Sequence, residues 1–131
     1  MMLEVSTHVL ATLTAEAGSA HPRECCGILL GEGERITAAT PAANVHPDPE
    51  THFEIDPQAL VDAHRQARQG GSQVLGYYHS HPNGFARPSA TDAAMAAGDG
   101  AIWAIIAADG VTFWRDGGAG FTPLPYEASP R

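Results

Sequence analysis

Three short apolar runs, Cys26 to Gly31, Val74 to His79 and Ala101 to Ala107, most constrain what this chain can fold into. Each is too short for a core helix and is bounded by turn-forming or polar residues, which suits buried strands. Helical stripes separate them. Val9, Leu10, Leu13 and Ala17 share one face, with Ser6 placed as N-cap and Gly18 and Pro22 closing the helix. Asp56-Pro57 reads as N-cap and first helical residue of a second helix, which runs through Leu60, His64 and Ala67 to Gly70-Gly71. Ser89 to Ala97 predicts a short third helix. Further strands are expected at Arg35 to Ala39, across the Gly31–Glu34 turn, at Phe53 and Ile55, and at Val111 to Trp114, across an Asp109-Gly110 turn. An edge strand is expected around Phe121, and Pro41 to Thr51 should be loop. The sum is an α/β (α+β) chain of about six strands and about three helices.

At 131 residues the chain suits a single domain, residues 1–131, with enough apolar content for its own core. The net charge is −8, and all seven cations are arginine. An acidic surface repels phosphate backbones, so nucleic acid is not the expected partner. The start carries Glu4 and no basic stretch, which is unlike a secretory signal. The longest apolar run, Ala101 to Ala108, is too short to span a bilayer. The two cysteines, Cys25 and Cys26, are adjacent and cannot staple distant segments, a usage that fits a reducing cytoplasm.

The chemistry-bearing stretch runs from His79 to Asp92: His-Ser-His-Pro-Asn-Gly-Phe-Ala-Arg-Pro-Ser-Ala-Thr-Asp. Residues two apart on a strand face the same way, so His79 and His81 can offer both imidazoles to one metal ion. Asp92, in the first turn of the third helix, can be returned to the same point. Two histidines and a carboxylate leave the fourth position of tetrahedral zinc open, the arrangement of a catalytic site. Each part has a plainer reading. A His-x-His pair is commonly two strand histidines, and Ser89-x-x-Asp92 has the spacing of a helix capping box. The joint spacing is what points to metal, and capping is compatible with it.

The pattern His-x-His-Pro-x6-Ser-x-x-Asp resembles that of the JAMM (MPN+) metalloproteases. Arg23-Glu24-Cys25-Cys26-Gly27 stands where that family carries an upstream glutamate. The Thr51–Pro57 segment is similar to the strand-to-helix junction of its short prokaryotic members. The resemblance covers residues from about 5 to 115. It implies an MPN/JAMM-like fold, a curved mixed β-sheet flanked by helices. It further implies one zinc ion per chain, held by His79, His81 and Asp92. In this scheme Glu24 is the general base and Ser89 donates a hydrogen bond to the developing oxyanion. The implied reaction is hydrolysis of the peptide or isopeptide bond after the C-terminal Gly-Gly tail of a ubiquitin-like or sulfur-carrier protein. The short stretch after Asp92 lacks room for the long insertions of eukaryotic deubiquitinases. A non-catalytic MPN scaffold and a DNA-repair-associated relative are the alternatives; intact ligands disfavour the first and the acidic charge the second.

Other residues read more simply. Ser80 should be a satisfied core hydroxyl, and Cys25 and Cys26 small core residues. His52 either faces the cleft or is an exposed strand residue, while His8, His21, His46 and His64 show no partner. Trp103 and Trp114 fit strand packing, although an aromatic near the cleft could hold an extended peptide. There is no His-Glu-x-x-His, no second cysteine pair and no lysine, which removes helix-borne zincins, cytidine deaminases and phosphate-binding P-loops.

Overall fold

A computed structural model describes residues 2–130. In chain order its elements are β1 (Leu3–Ser6), α1 (Thr7–Ala20), β2 (Cys26–Glu32), β3 (Arg35–Ala42) and α2 (Pro57–Arg68). They continue with β4 (Gln73–Ser80), α3 (Ala90–Met95), β5 (Ile102–Ala107), β6 (Gly110–Asp116), β7 (Phe121–Pro123) and β8 (Tyr126–Ser129).

The strands form one sheet in the order β7-β6-β5-β4-β2-β3-β1-β8. It is mixed: β4 and β5 run parallel, as do β1 with β3 and β1 with β8, and the remaining pairs are antiparallel. β7 and β8 lie at opposite ends of that order, yet only Leu124 and Pro125 separate them in the chain. Two residues reach roughly 10 Å at full extension, so the sheet must curl until its edges approach. Tyr126 closes the gap, its ring edge-on to Phe113 at 4.7 Å and its hydroxyl donating to the Val111 carbonyl.

Each face of the sheet buries one helix. α1 turns Val9 and Leu13 onto a cluster of Leu3, Val5, Leu29, Ile36, Tyr78, Ala104 and Phe113. The opposite face is smaller. There Cys26, Phe53, Ile55 and Trp103 pack together, with Ala59 and Leu60 of α2 laid over them. α2 starts as the residues dictate: the Asp56 side chain accepts the Gln58 N–H, and Pro57 stands at the first helical position.

Several expectations change in detail. Six of the expected strands form, as β2 to β7, and two more, β1 and β8, bring the sheet to eight. α1 runs two residues past Gly18, to Ala20, and Ser6 precedes it without a side-chain cap. β3 extends through Pro41 to Ala42, shortening the expected loop. Phe53 and Ile55 form no strand; only an isolated bridge joins Ile55 to Asn44. His46 and His8 do have partners: His46 stacks on His52, and His8 Nε2 contacts the Thr37 carbonyl.

Candidate metal centre

β4 is the pivot of the site. It lies between β2 and β5, so its last residues are walled in on both sides, and His79 is 1% exposed. Alternation along β4 sends Tyr78 to the α1 face and His79 to the α2 face. There Phe53 stacks on the His79 imidazole, with centroids 4.3 Å apart and planes 15° off parallel, while Trp103 meets it edge-on at 5.6 Å. His81 stands just beyond the strand, its N–H still bonded to the Ile106 carbonyl.

The third donor arrives from α3. Ser89 and Asp92 form a reciprocal capping box: Ser89 Oγ accepts the Asp92 N–H, and Asp92 Oδ2 accepts the Ser89 N–H at 2.9 Å. Capping therefore aims the carboxylate rather than competing with ligation. His79 Nε2 lies 3.0 Å from Asp92 Oδ1 and 3.0 Å from His81 Nε2, and His81 Nε2 lies 3.1 Å from Asp92 Oδ2.

These donors suit a divalent cation. Separations near 3 Å approach the roughly 3.3 Å edge of a tetrahedron with 2.0 Å ligand bonds. The His81 Nδ1–H donates to the Phe85 carbonyl, so its Nε2 presents a lone pair. His79 Nδ1 is buried with no hydrogen-bond partner, an orphan of the kind that functional sites retain. Burial lowers the His79 pKa and so favours the neutral, ligating ring. Burial alone would raise that of Asp92, but His79 and His81, which donate to it when their Nε2 atoms carry hydrogen, and the Ser89 N–H prevail and hold it well below the usual carboxylate range.

Glu24 comes from the other side of the same ladder. Cys26 pairs with His79, and one step further Ser80 N–H bonds the Cys25 carbonyl while Ser80 Oγ accepts the Cys25 N–H. Continuing the register sets Glu24 opposite His81. The Glu24 residue is 7% exposed, and burial pushes its carboxyl up to about 7, with His81 opposing and Asp92 reinforcing the shift. A cleft of about 370 Å³ is lined by Glu24, His81 and Ser89, together with Glu50, Phe85 and Arg87. Ser89 Oγ is an acceptor in the capping box, so its hydrogen stays free for a ligand in that cleft.

All five residues singled out from the sequence thus belong to one neighbourhood. A second group, His46, Asp48 and His52, also clusters. There the His46 Nδ1 accepts the Asp48 N–H at 2.9 Å, which leaves the neutral ring's hydrogen on Nε2 and removes that atom as a ligand. Phe53, Phe85 and Asn44 had no marker in the sequence, because they act through a ring face, a backbone carbonyl and a loop interior.

The model of the prokaryotic homologs of the JAB domain matches residues 6–117. The chain belongs to this JAMM-type metalloprotease family. Among its JAMM relatives, the desampylase of Haloferax volcanii is 37% identical over 91 residues, which are 68% of this chain and 66% of that protein. A probable TtuB-protein conjugate cleaving protease of Thermus thermophilus is 41% identical over 71 residues, 54% of this chain and 47% of that protein. The matched stretch therefore spans about half to two thirds of these relatives. A protein of Desulfitobacterium hafniense solved in solution superposes with a TM-score of 0.86 at 27% identity, covering 99% of this chain and 94% of that one. The fold is accordingly shared along nearly the whole chain.

Proposed function

We propose that this chain is a zinc-dependent isopeptidase that cuts the bond following the Gly-Gly tail of a ubiquitin-like or sulfur-carrier protein. The observation that carries the reading is the convergence of His79, His81 and Asp92 beside a cleft that also holds Glu24 and Ser89. The names of the Haloferax and Thermus relatives, a desampylase and a conjugate-cleaving protease, support the substrate class. Two free buried cysteines suit a reducing cytoplasm. No helix among the described residues is long and apolar enough to cross a membrane.

His79, His81 and Asp92 are the proposed ligands, one ion per chain. Zinc bound there supplies Lewis acidity, which polarises a carbonyl and acidifies water. Glu24 takes a proton from the attacking water and returns one to the leaving amine, a task for which a carboxyl near 7 is well matched. Ser89 donates its free hydroxyl hydrogen to the oxygen that gains charge as the tetrahedral carbon forms. Asp92 remains anionic throughout and keeps both imidazoles oriented.

The test is intact-protein mass spectrometry of small carriers extended beyond their Gly-Gly tails, incubated with the zinc-loaded chain. Loss of the extension at the Gly-Gly boundary is the expected result. A panel of carriers left uncut by zinc-loaded protein would overturn the reading.

A further inference from the structure

The loop from β3 to α2, residues 43–56, ends by carrying Phe53 onto His79 and begins beside Glu24. Its stem is closed by the Asn44–Ile55 bridge, and its interior is organised by one side chain. Asn44 Nδ2 donates to the carbonyls of Glu24 and His52, each at 3.0 Å, with a longer contact to Pro49 at 3.4 Å. Asn44 Oδ1 accepts the N–H groups of His46, at 3.1 Å, and Glu54, at 3.0 Å. The Glu24 N–H in turn donates to the Pro49 carbonyl at 2.8 Å.

Glu24 is therefore gripped at both peptide groups, its N–H by Pro49 and its carbonyl by Asn44. Among the described residues no hydrogen bond holds its carboxylate. With no hydrogen bond at the carboxylate, the backbone grip is what anchors the packed side chain from its root. The same amide fixes the backbone on either side of Phe53, at the His52 carbonyl and the Glu54 N–H.

We infer that Asn44 is a positioning residue for Glu24, anchoring the backbone beneath a carboxylate that no hydrogen bond among the described residues tethers. The inference rests on the reading of Glu24 as the proton-transferring group. A misplacement of about 1 Å in such a group can cost on the order of 10²-fold in rate.

Asn44→Asp separates positioning from general support. It keeps an acceptor for the His46 and Glu54 N–H groups but replaces the donor to Glu24 and His52 with an anionic oxygen. Asn44→Ala removes both halves. With zinc-loaded protein and a Gly-Gly-extended carrier, kcat should fall roughly 10²-fold in both variants. In Asn44→Asp, which keeps the acceptor for the Glu54 N–H beside Phe53, KM and zinc affinity should stay within about threefold of wild type, since the proposed metal ligands lie outside this loop. Amide hydrogen exchange should accelerate at Glu24 in both variants and stay protected at Tyr78. At Glu54 it should accelerate only in Asn44→Ala.

Unchanged kcat, or unchanged exchange at Glu24, would overturn the inference. So would a fall in kcat matched by equal losses of zinc affinity and core protection, which marks plain structural damage. If wild type cleaves no carrier, the proposed function fails, and exchange at Glu24 still decides whether Asn44 holds that residue.

Discussion

His81 turns its Nδ1–H onto the carbonyl of Phe85, 2.7 Å away, and that contact decides which ring nitrogen faces Asp92. The Phe85–Ala86 and Ala86–Arg87 peptides are themselves clamped. Asp109 Oδ1 accepts the Ala86 N–H at 2.9 Å, and Thr112 donates to the Ala86 carbonyl. The β5–β6 hairpin thus orients a proposed metal ligand from outside the His79–His81–Asp92 cluster. Removing Thr112's hydroxyl in Thr112→Val should weaken zinc binding about tenfold or more with little change in fold, measured by chelator competition. Wild-type affinity in that variant would show that the clamp is dispensable.

Glu24→Gln should keep zinc and lose nearly all turnover. It should also stabilise the zinc-free chain at high pH. The folded carboxyl titrates near 7, above the ordinary 4.5, so its stabilising neutral form is fully present below pH 4.5 and lost as pH rises through 7. Glutamine stays neutral throughout. Urea denaturation should find the variant more stable by up to about 3 kcal/mol at pH 8, with the gap narrowing towards pH 5. A gap that is constant with pH would contradict the burial cost assigned to Glu24.

Zinc affinity should fall with acidification because of His81. Burial would lower its pKa, but the hydrogen bond to Asp92 and the Phe85 carbonyl raise it above the usual histidine value. Protons therefore compete at His81 from a higher pH than at an ordinary histidine, whereas His79, with its lowered pKa, competes less. Chelator competition at pH 8 and pH 6 should show markedly weaker binding at pH 6, with uptake of about one proton per zinc released. Equal affinities would remove His81 from the ligand set.

Gly76 tests the fold around the site. It lies where β4 runs beside β5, and a Cβ there would stand 1.8 Å from the Ile102 carbonyl oxygen. Gly76→Ala must push β5 away from the strand that carries His79. A loss of at least ~2 kcal/mol in denaturant unfolding is expected, and a neutral substitution would contradict the register.

The central strands and α2 were legible because their residues carry the signal locally: apolar runs for β2, β4 and β5, and Asp56-Pro57 for α2. β1 and β8 were not. Leu3–Ser6 and Tyr126–Ser129 are four residues each, and they become strands by pairing with each other across the length of the chain. Phe53 and Ile55 alternate like a strand, but Asn44 takes the intervening Glu54 N–H, so no ladder forms. In the site, the spacing of His79, His81, Ser89 and Asp92 is a property of consecutive residues and could be read directly. What orients them is a ring face at Phe53, a carbonyl at Phe85 and an amide at Asn44. Only the folded backbone brings these together.

Native mass spectrometry of zinc stoichiometry, on wild type beside Asp92→Asn and His46→Ala, tests the metal centre most directly. One zinc per chain in wild type and His46→Ala, with strongly reduced occupancy in Asp92→Asn, is the predicted result. Full occupancy in Asp92→Asn, or loss in His46→Ala, would place the metal elsewhere and contradict the account.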